Sequence, residues 1–172
     1  MDNPALGPVI IGFDGSSSAN YTVRVAASLL APAPALVVVA WEAGLGFELL
    51  ENPPSLVPAP LDIRSALAVD QKLYEIAQRL AETGAAVARR SGLDATGLAV
   101  ADDATVADTL LRLCEENNAR AVVVGAHGRQ HLAHEPPGGT ARQIVQSAQC
   151  PAVVIRHPGP KRRGEHKKPL AS

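Results

Sequence analysis

Residues 121–155 read AVVVGAHGRQHLAHEPPGGTARQIVQSAQCPAVVI, and the alternation inside this stretch decides the architecture. Residues 121–124 are an unbroken apolar run that ends in Gly125-x-x-Gly128. A polar segment follows, and then Gly138, Gly139 and Thr140 open a segment with helical character that stops before Pro151. A second apolar run occupies residues 152–155. A buried strand that feeds a glycine-rich loop and then a helix N-terminus is a common phosphate cradle. Glycines let backbone N–H groups approach an anion closely, and the helix dipole favours negative charge there.

The same alternation extends upstream. Val9, Ile10 and Ile11 form a strand-like run closed by Gly12-Phe13-Asp14-Gly15, and Ser16, Ser17 and Ser18 are candidate N-caps. Val23, Ala26, Ala27 and Leu30 recur at helical spacing until Pro32 and Pro34 end the segment. Residues 36–40, LVVVA, contain nothing polar, which predicts a parallel strand covered on both faces. Residues 43–62 carry Pro53, Pro54, Pro58 and Pro60 and read as a loop of about twenty residues, long for a compact domain. Its apolar residues (Leu45, Phe47, Leu49, Leu50, Leu56, Val57) predict packing as a surface insertion, a lid or a cover for a partner. Val69, Leu73, Ile76, Leu80, Gly84 and Val87 then trace one face of a long helix that ends near Gly92. Leu98, Ala99 and Val100 make a short third strand, and Thr105-x-x-Asp108 resembles a capping box ahead of a helix ended by Asn117-Asn118. The order β-α-β-α-β-α-β-α-β predicts an α/β fold, an open, doubly wound, five-stranded parallel sheet with helices on both faces; right-handed crossovers leave few strand orders, and in the order 3-2-1-4-5 the ends of strands 1 and 4 would be neighbours. Ligands of such sheets bind beyond the carboxyl ends of the strands where the order reverses, here the ends of strands 1 and 4.

Composition narrows the class further. The 172 residues are 47% hydrophobic but only 3% aromatic, so alanine and valine must build the core, as suits helices packed closely on a sheet. Residues 1–156 are expected to form one domain. Residues 157–172 lack apolar periodicity and are expected to be a disordered tail, whose lysines and arginines make contact with nucleic acid or an acidic partner a minor alternative. The net charge of −1 supplies no global field toward nucleic acid or membrane. No apolar run approaches the ~20 residues that span a bilayer, the N-terminal residues lack a signal-peptide pattern, and Cys114 and Cys150 have neither metal nor redox spacing. A cytoplasmic protein with two reduced, buried thiols is expected.

Few residues suggest reaction chemistry. Asp14, at the end of strand 1, suits a ribose hydrogen bond or a cation, and equally a helix entry favoured by the dipole. His127, His131 and His134 lie in a Gly/Pro-rich segment without a neighbouring cysteine, and no metal site is expected of them. There is no Gly-x-Ser-x-Gly turn, Walker lysine or Gly-x-Gly-x-x-Gly fingerprint.

At Gly125-x2-Gly128-x9-Gly138, with Cys150-Pro151 and the last strand behind it and Gly12-Phe13-Asp14-Gly15-Ser16 at the opening, the chain resembles the universal stress protein family over about residues 8–156. The resemblance implies a non-enzymatic, ATP-binding module of the stress response, with Mg as a companion of the nucleotide and homodimers formed through the last strand. Its nucleotide-binding residues would be Gly12, Phe13, Asp14, Ala40, Val124, Gly125, His127, Gly128, Gly138, Gly139 and Thr140. The chain departs from the pattern at the phosphate end. Gly139 stands where the family has Ser or Thr, Thr140 comes one place late, and Glu135, Pro136 and Pro137 precede the helix. A lost hydrogen bond to a charged phosphate costs about 1.5–3 kcal/mol. A scaffold of the same fold that binds AMP, cyclic AMP or no nucleotide is therefore the alternative. A pyrophosphate-releasing enzyme of the related adenine nucleotide α-hydrolase group would need paired glycines between serine and aspartate after strand 1, and they are absent.

Overall fold

A computed structural model of the chain describes residues 7–51, 62–102, 104–128 and 138–158. The elements are β1 (Val9–Gly12), α1 (Ser17–Leu30), β2 (Pro34–Trp41), α2 (Leu45–Glu51), α3 (Ile63–Arg90), β3 (Asp94–Ala101), α4 (Val106–Glu116), β4 (Ala121–Gly125), α5 (Gly139–Ser147) and β5 (Ala152–Ile155). The five strands are all parallel, as the alternation predicts, and their order is β3-β2-β1-β4-β5. Val9 is paired with Ala35 on one side and Ala121 on the other, which places the carboxyl ends of β1, β2 and β4 along one edge.

Alternating residues of the central strands enter two separate cores. Val9, Ile11, Val37, Val39 and Val123 face α1 and α3, with Val23, Ala26, Ala81 and Ala85. Ile10, Val38, Val122 and Val124 face α4 and α5, with Leu110, Leu113 and Ile144. Both faces are covered, which is why these strands read as continuous apolar runs. The scarcity of aromatics has its counterpart in how closely α3 lies on the sheet. A Cβ on Gly97 would stand 2.5 Å from the Ala81 carbonyl carbon, and one on Gly84 would stand 2.8 Å from Val37 Cγ1. Only small side chains fit at that separation.

The helix entries follow the predicted chemistry. The Ser16 hydroxyl accepts the Ala19 N–H at 3.0 Å. The Thr105 hydroxyl accepts the Asp108 N–H at 3.1 Å and donates to Asp108 Oδ2 at 2.6 Å. Gly92, just past α3, has φ +102°, the left-handed conformation that glycine adopts without a Cβ penalty.

Three expectations need correction. Residues 43–62 are not loop throughout, because α2 forms inside them. Gly44 and Gly46 donate their N–H groups to Asp70 Oδ2 and Oδ1 at 3.1 and 2.9 Å, which ties the start of α2 to α3. Gly46 is so close to α3 that a Cβ would lie 2.1 Å from the Ala66 oxygen. The prolines that suggested a loop lie at residues 53–60, outside the described residues, as do Leu56 and Val57. The third strand spans eight residues rather than three, since pairing with all of β2 overrides the weak strand preference of Asp94, Ala95 and Gly97. Finally, α3 starts at Ile63, capped by Asp62 Oδ1 accepting the Ser65 N–H at 2.8 Å. Its sheet-facing residues are mostly Ala77, Ala81, Ala85 and Ala88 with Gly84, whereas Ile76 of the predicted stripe is 49% exposed.

Candidate functional site

A cavity of about 540 Å³ opens at the carboxyl edge of the sheet, beyond β1, β2 and β4, a size typical of small-molecule sites (roughly 300–1,000 Å³). Of the residues singled out by sequence, Gly12, Phe13, Asp14, Ala40, Val124, Gly125, His127, Gly128 and Thr140 line it. Gly138 and Gly139 do not: they flank Thr140 at the start of α5 without reaching the cavity wall. His131, His134, Glu135, Pro136 and Pro137 lie outside the described residues.

On the β4 side the wall is mostly backbone. The strand hydrogen-bonding continues past Gly125, with the Ala126 N–H donating to Ile155 O at 2.8 Å. The Gly138 N–H donates back to Ala126 O at 3.0 Å, so the two ends of the glycine segment meet at one residue. Gly125 faces α1, where a Cβ would approach Thr22 Oγ1 to 3.2 Å. A Cβ on Gly128 would stand 3.1 Å from Asp14 Oδ2. Asp14 Oδ1 accepts the Ser16 N–H at 2.9 Å, so this carboxylate both braces the start of α1 and faces the glycine loop. His127 is buried, with 8% of its surface exposed. The first intrahelical bond of α5 is Arg142 N–H to Gly138 O at 3.1 Å. The N–H groups of Gly139, Thr140 and Ala141 therefore precede the helical ladder, the usual donor set of an anion-binding helix start.

On the β2 side the wall is made of side chains that sequence reasoning did not select. Trp41 ends β2 and Glu42 follows it, Leu45 comes from α2, and Leu73, Ile76, Ala77 and Leu80 come from α3. Trp41 meets Tyr74 edge to face, with ring centroids 5.9 Å apart. The signal that could have found this wall is the first half of the α3 stripe, whose bulky residues are too large for the close helix–sheet contact made by the alanines. Val106 and Leu110 of α4 close the other face. The charged lining residues are Asp14 and Glu42, and among the described residues no lysine or arginine lines the cavity.

The cysteines stand apart from the cavity lining. Cys114, on α4, is buried in the core, with the half-buried Cys150 packed against the same core. Burial first, and the neighbouring Cys150 second, push the Cys114 thiol up to about 12, so it stays protonated at neutral pH. Among the described residues no three His, Cys, Asp or Glu side chains converge as a metal site, and no helix is long and apolar enough to cross a membrane.

A parallel sheet of order 3-2-1-4-5 with a cavity beyond strands 1 and 4 places the chain in the adenine nucleotide α-hydrolase-like class of α/β folds. Within that class, the profile of the universal stress protein family matches residues 6–156, and the chain belongs to that family. Solved structures agree on the fold. A universal stress protein from Archaeoglobus fulgidus superposes with a TM-score of 0.61 at 18% identity, over 87% of this chain and 98% of that one. The A. fulgidus protein in complex with dAMP gives 0.58 at 18% identity, over 87% and 97%. A universal stress protein in complex with cAMP gives 0.55 at 16% identity, over 88% and 98%. No curated protein sequence is significantly similar to this chain.

Proposed function

We propose that this universal stress protein binds an adenine nucleotide, ATP in the first instance, in the cavity beyond β1 and β4 and acts through occupancy rather than turnover. The observation that carries this reading is the junction of Asp14, the Gly125–Gly128 turn and the start of α5 around one cavity whose opposite wall is apolar. The base would lie against Trp41, Leu45 and the α3 side chains, the ribose within reach of Asp14, and the phosphates against Gly128 and the first turn of α5. Solved relatives with dAMP and cAMP bound support the adenine part of the reading. The residues present fit such a ligand: glycines whose Cβ atoms would crowd the site, N–H donors at a helix start, and an apolar slot. Mg with ATP would supply countercharge to the triphosphate on the side where Asp14 faces the glycine loop. Among the described lining residues there is no cysteine or lysine, and in this reading the bound state is the signal.

One observation favours a second reading, AMP or cyclic AMP in place of ATP. Two carboxylates and no cation among the described lining residues repel a triphosphate more than a monophosphate, and Gly139 offers no hydroxyl. Isothermal titration of nucleotide-free protein with ATP (with and without Mg), AMP, cyclic AMP and adenosine tests both. Micromolar or tighter ATP binding that falls at least about tenfold in Gly128→Val, equivalent to about 1.4 kcal/mol, supports the first reading. Binding of AMP or cyclic AMP alone selects the second, and no heat with any of them rejects both.

A further inference from the structure

We infer that Asp108 and Gln143, which do not line the cavity, are positioning residues that set its affinity for the phosphates of a ligand and not for the nucleoside. The inference rests on the adenine-nucleotide reading above. α5 brings the first-turn N–H groups to the β4 side, but it is only nine residues long and buries just Ala141 and Ile144. Its N-cap is Gly138, which offers no side-chain cap. Two contacts toward the sheet leave the sideways placement of the first turn to other bonds. Gln143, one turn beyond Thr140, supplies one: its Nε2 donates to Asp108 Oδ1 at 2.6 Å.

Asp108 is itself held. Its other oxygen accepts the Thr105 hydroxyl at 2.6 Å, and its own N–H returns to that hydroxyl at 3.1 Å. It stands on α4, a helix anchored by Ala107, Thr109, Leu110, Leu113 and Cys114. It lies two residues from each of the cavity-lining Val106 and Leu110. The anchored helix α4 thus holds the short helix α5 through a bond to a carboxylate, and each helix brings a residue near its N-terminal end, Val106 and Thr140, to the cavity wall. Most of the apolar wall comes from β2, α2 and α3, and α4, which adds Val106 and Leu110, is held by its own buried residues, so a nucleoside seated there is expected to depend little on this bond.

Titration of adenosine, AMP and ATP into wild-type protein, Gln143→Leu and Asp108→Asn tests the inference. Gln143→Leu removes the donor without adding charge and is expected to weaken ATP by about tenfold, while adenosine changes by less than about twofold. Asp108→Asn keeps a carbonyl acceptor for Gln143 and a polar partner for Thr105, and is expected to hold ATP within about threefold of wild type. Amide hydrogen exchange at residues 139–142 is expected to quicken in Gln143→Leu and not in Asp108→Asn. Gln143→Ala replaces the leucine variant should that one fail to fold. Equal weakening of adenosine and ATP, or weakening of neither, overturns the positioning role while leaving the nucleotide reading intact. Wild-type protein that binds none of the three ligands overturns the nucleotide reading and this inference with it.

Discussion

The two sides of the cavity are made of different materials. The β4 side is backbone: a strand end, two glycines three residues apart and the first turn of a helix, within one short stretch of chain. The β2 side is side chains: a tryptophan from a strand end, a leucine from a seven-residue helix and the bulky half of a long helix. Backbone donors serve any anion of suitable size, whereas a side-chain wall selects by shape. Under the nucleotide reading proposed above, the contrast would put charge recognition on one side and base recognition on the other, and it separates the effects expected of substitutions.

The largest effect is expected at Gly97, where the β2 side depends on α3 lying flat on the sheet. Gly97→Ala sets a Cβ 2.5 Å from backbone that cannot step aside. A loss of about 3 kcal/mol is expected, read from urea unfolding as a lower midpoint at unchanged slope. A shift below about 1 kcal/mol would show that the close approach is not needed. Next is Asp70, which anchors α2 by accepting two N–H groups. Asp70→Ala leaves both donors without their acceptor and is expected to cost about 2 kcal/mol in a denaturant melt. It should weaken adenosine and ATP by the same factor, because the wall that carries Leu45 loosens; selective loss of ATP would contradict the division of labour. The smallest effect is expected at Gly139, whose Cβ position is open, with nothing within 4 Å. Gly139→Ser restores a hydroxyl at the helix start and is expected to strengthen ATP by about 1 kcal/mol or less, with adenosine unchanged in the same titration. An unchanged ATP affinity would mean that the phosphates do not reach that residue.

The same contrast explains what could be read from sequence. The glycine side was legible because its logic is local. Gly125, Gly128 and Gly138 are close in the chain, and the strand and helix around them have clear periods. A parallel sheet followed from the alternation of elements, and the handedness of crossovers left few strand orders, among them the β3-β2-β1-β4-β5 order present. The apolar side was not legible, because Trp41, Leu45 and Leu73 meet only through tertiary contacts. The bonds that bring α2 against α3 join residues 24 and 26 positions apart. Gly46 looks like a helix breaker in sequence, yet it is the residue that lets α2 approach α3. Gly97 likewise looks like a poor strand former, and its missing side chain is what admits Ala81. In each case the local preference was correct and a packing contact outweighed it.

Trp41 is the single tryptophan of the chain, and it belongs to the cavity wall, edge-on to Tyr74. Indole emission excited above the tyrosine band therefore comes from one place, and the protein carries its own optical gauge. A nucleoside entering against that wall changes the emission, whereas inorganic phosphate confined to the glycine side leaves it still. Spectra of the untagged, unlabelled protein would thus report which half of the cavity a ligand fills.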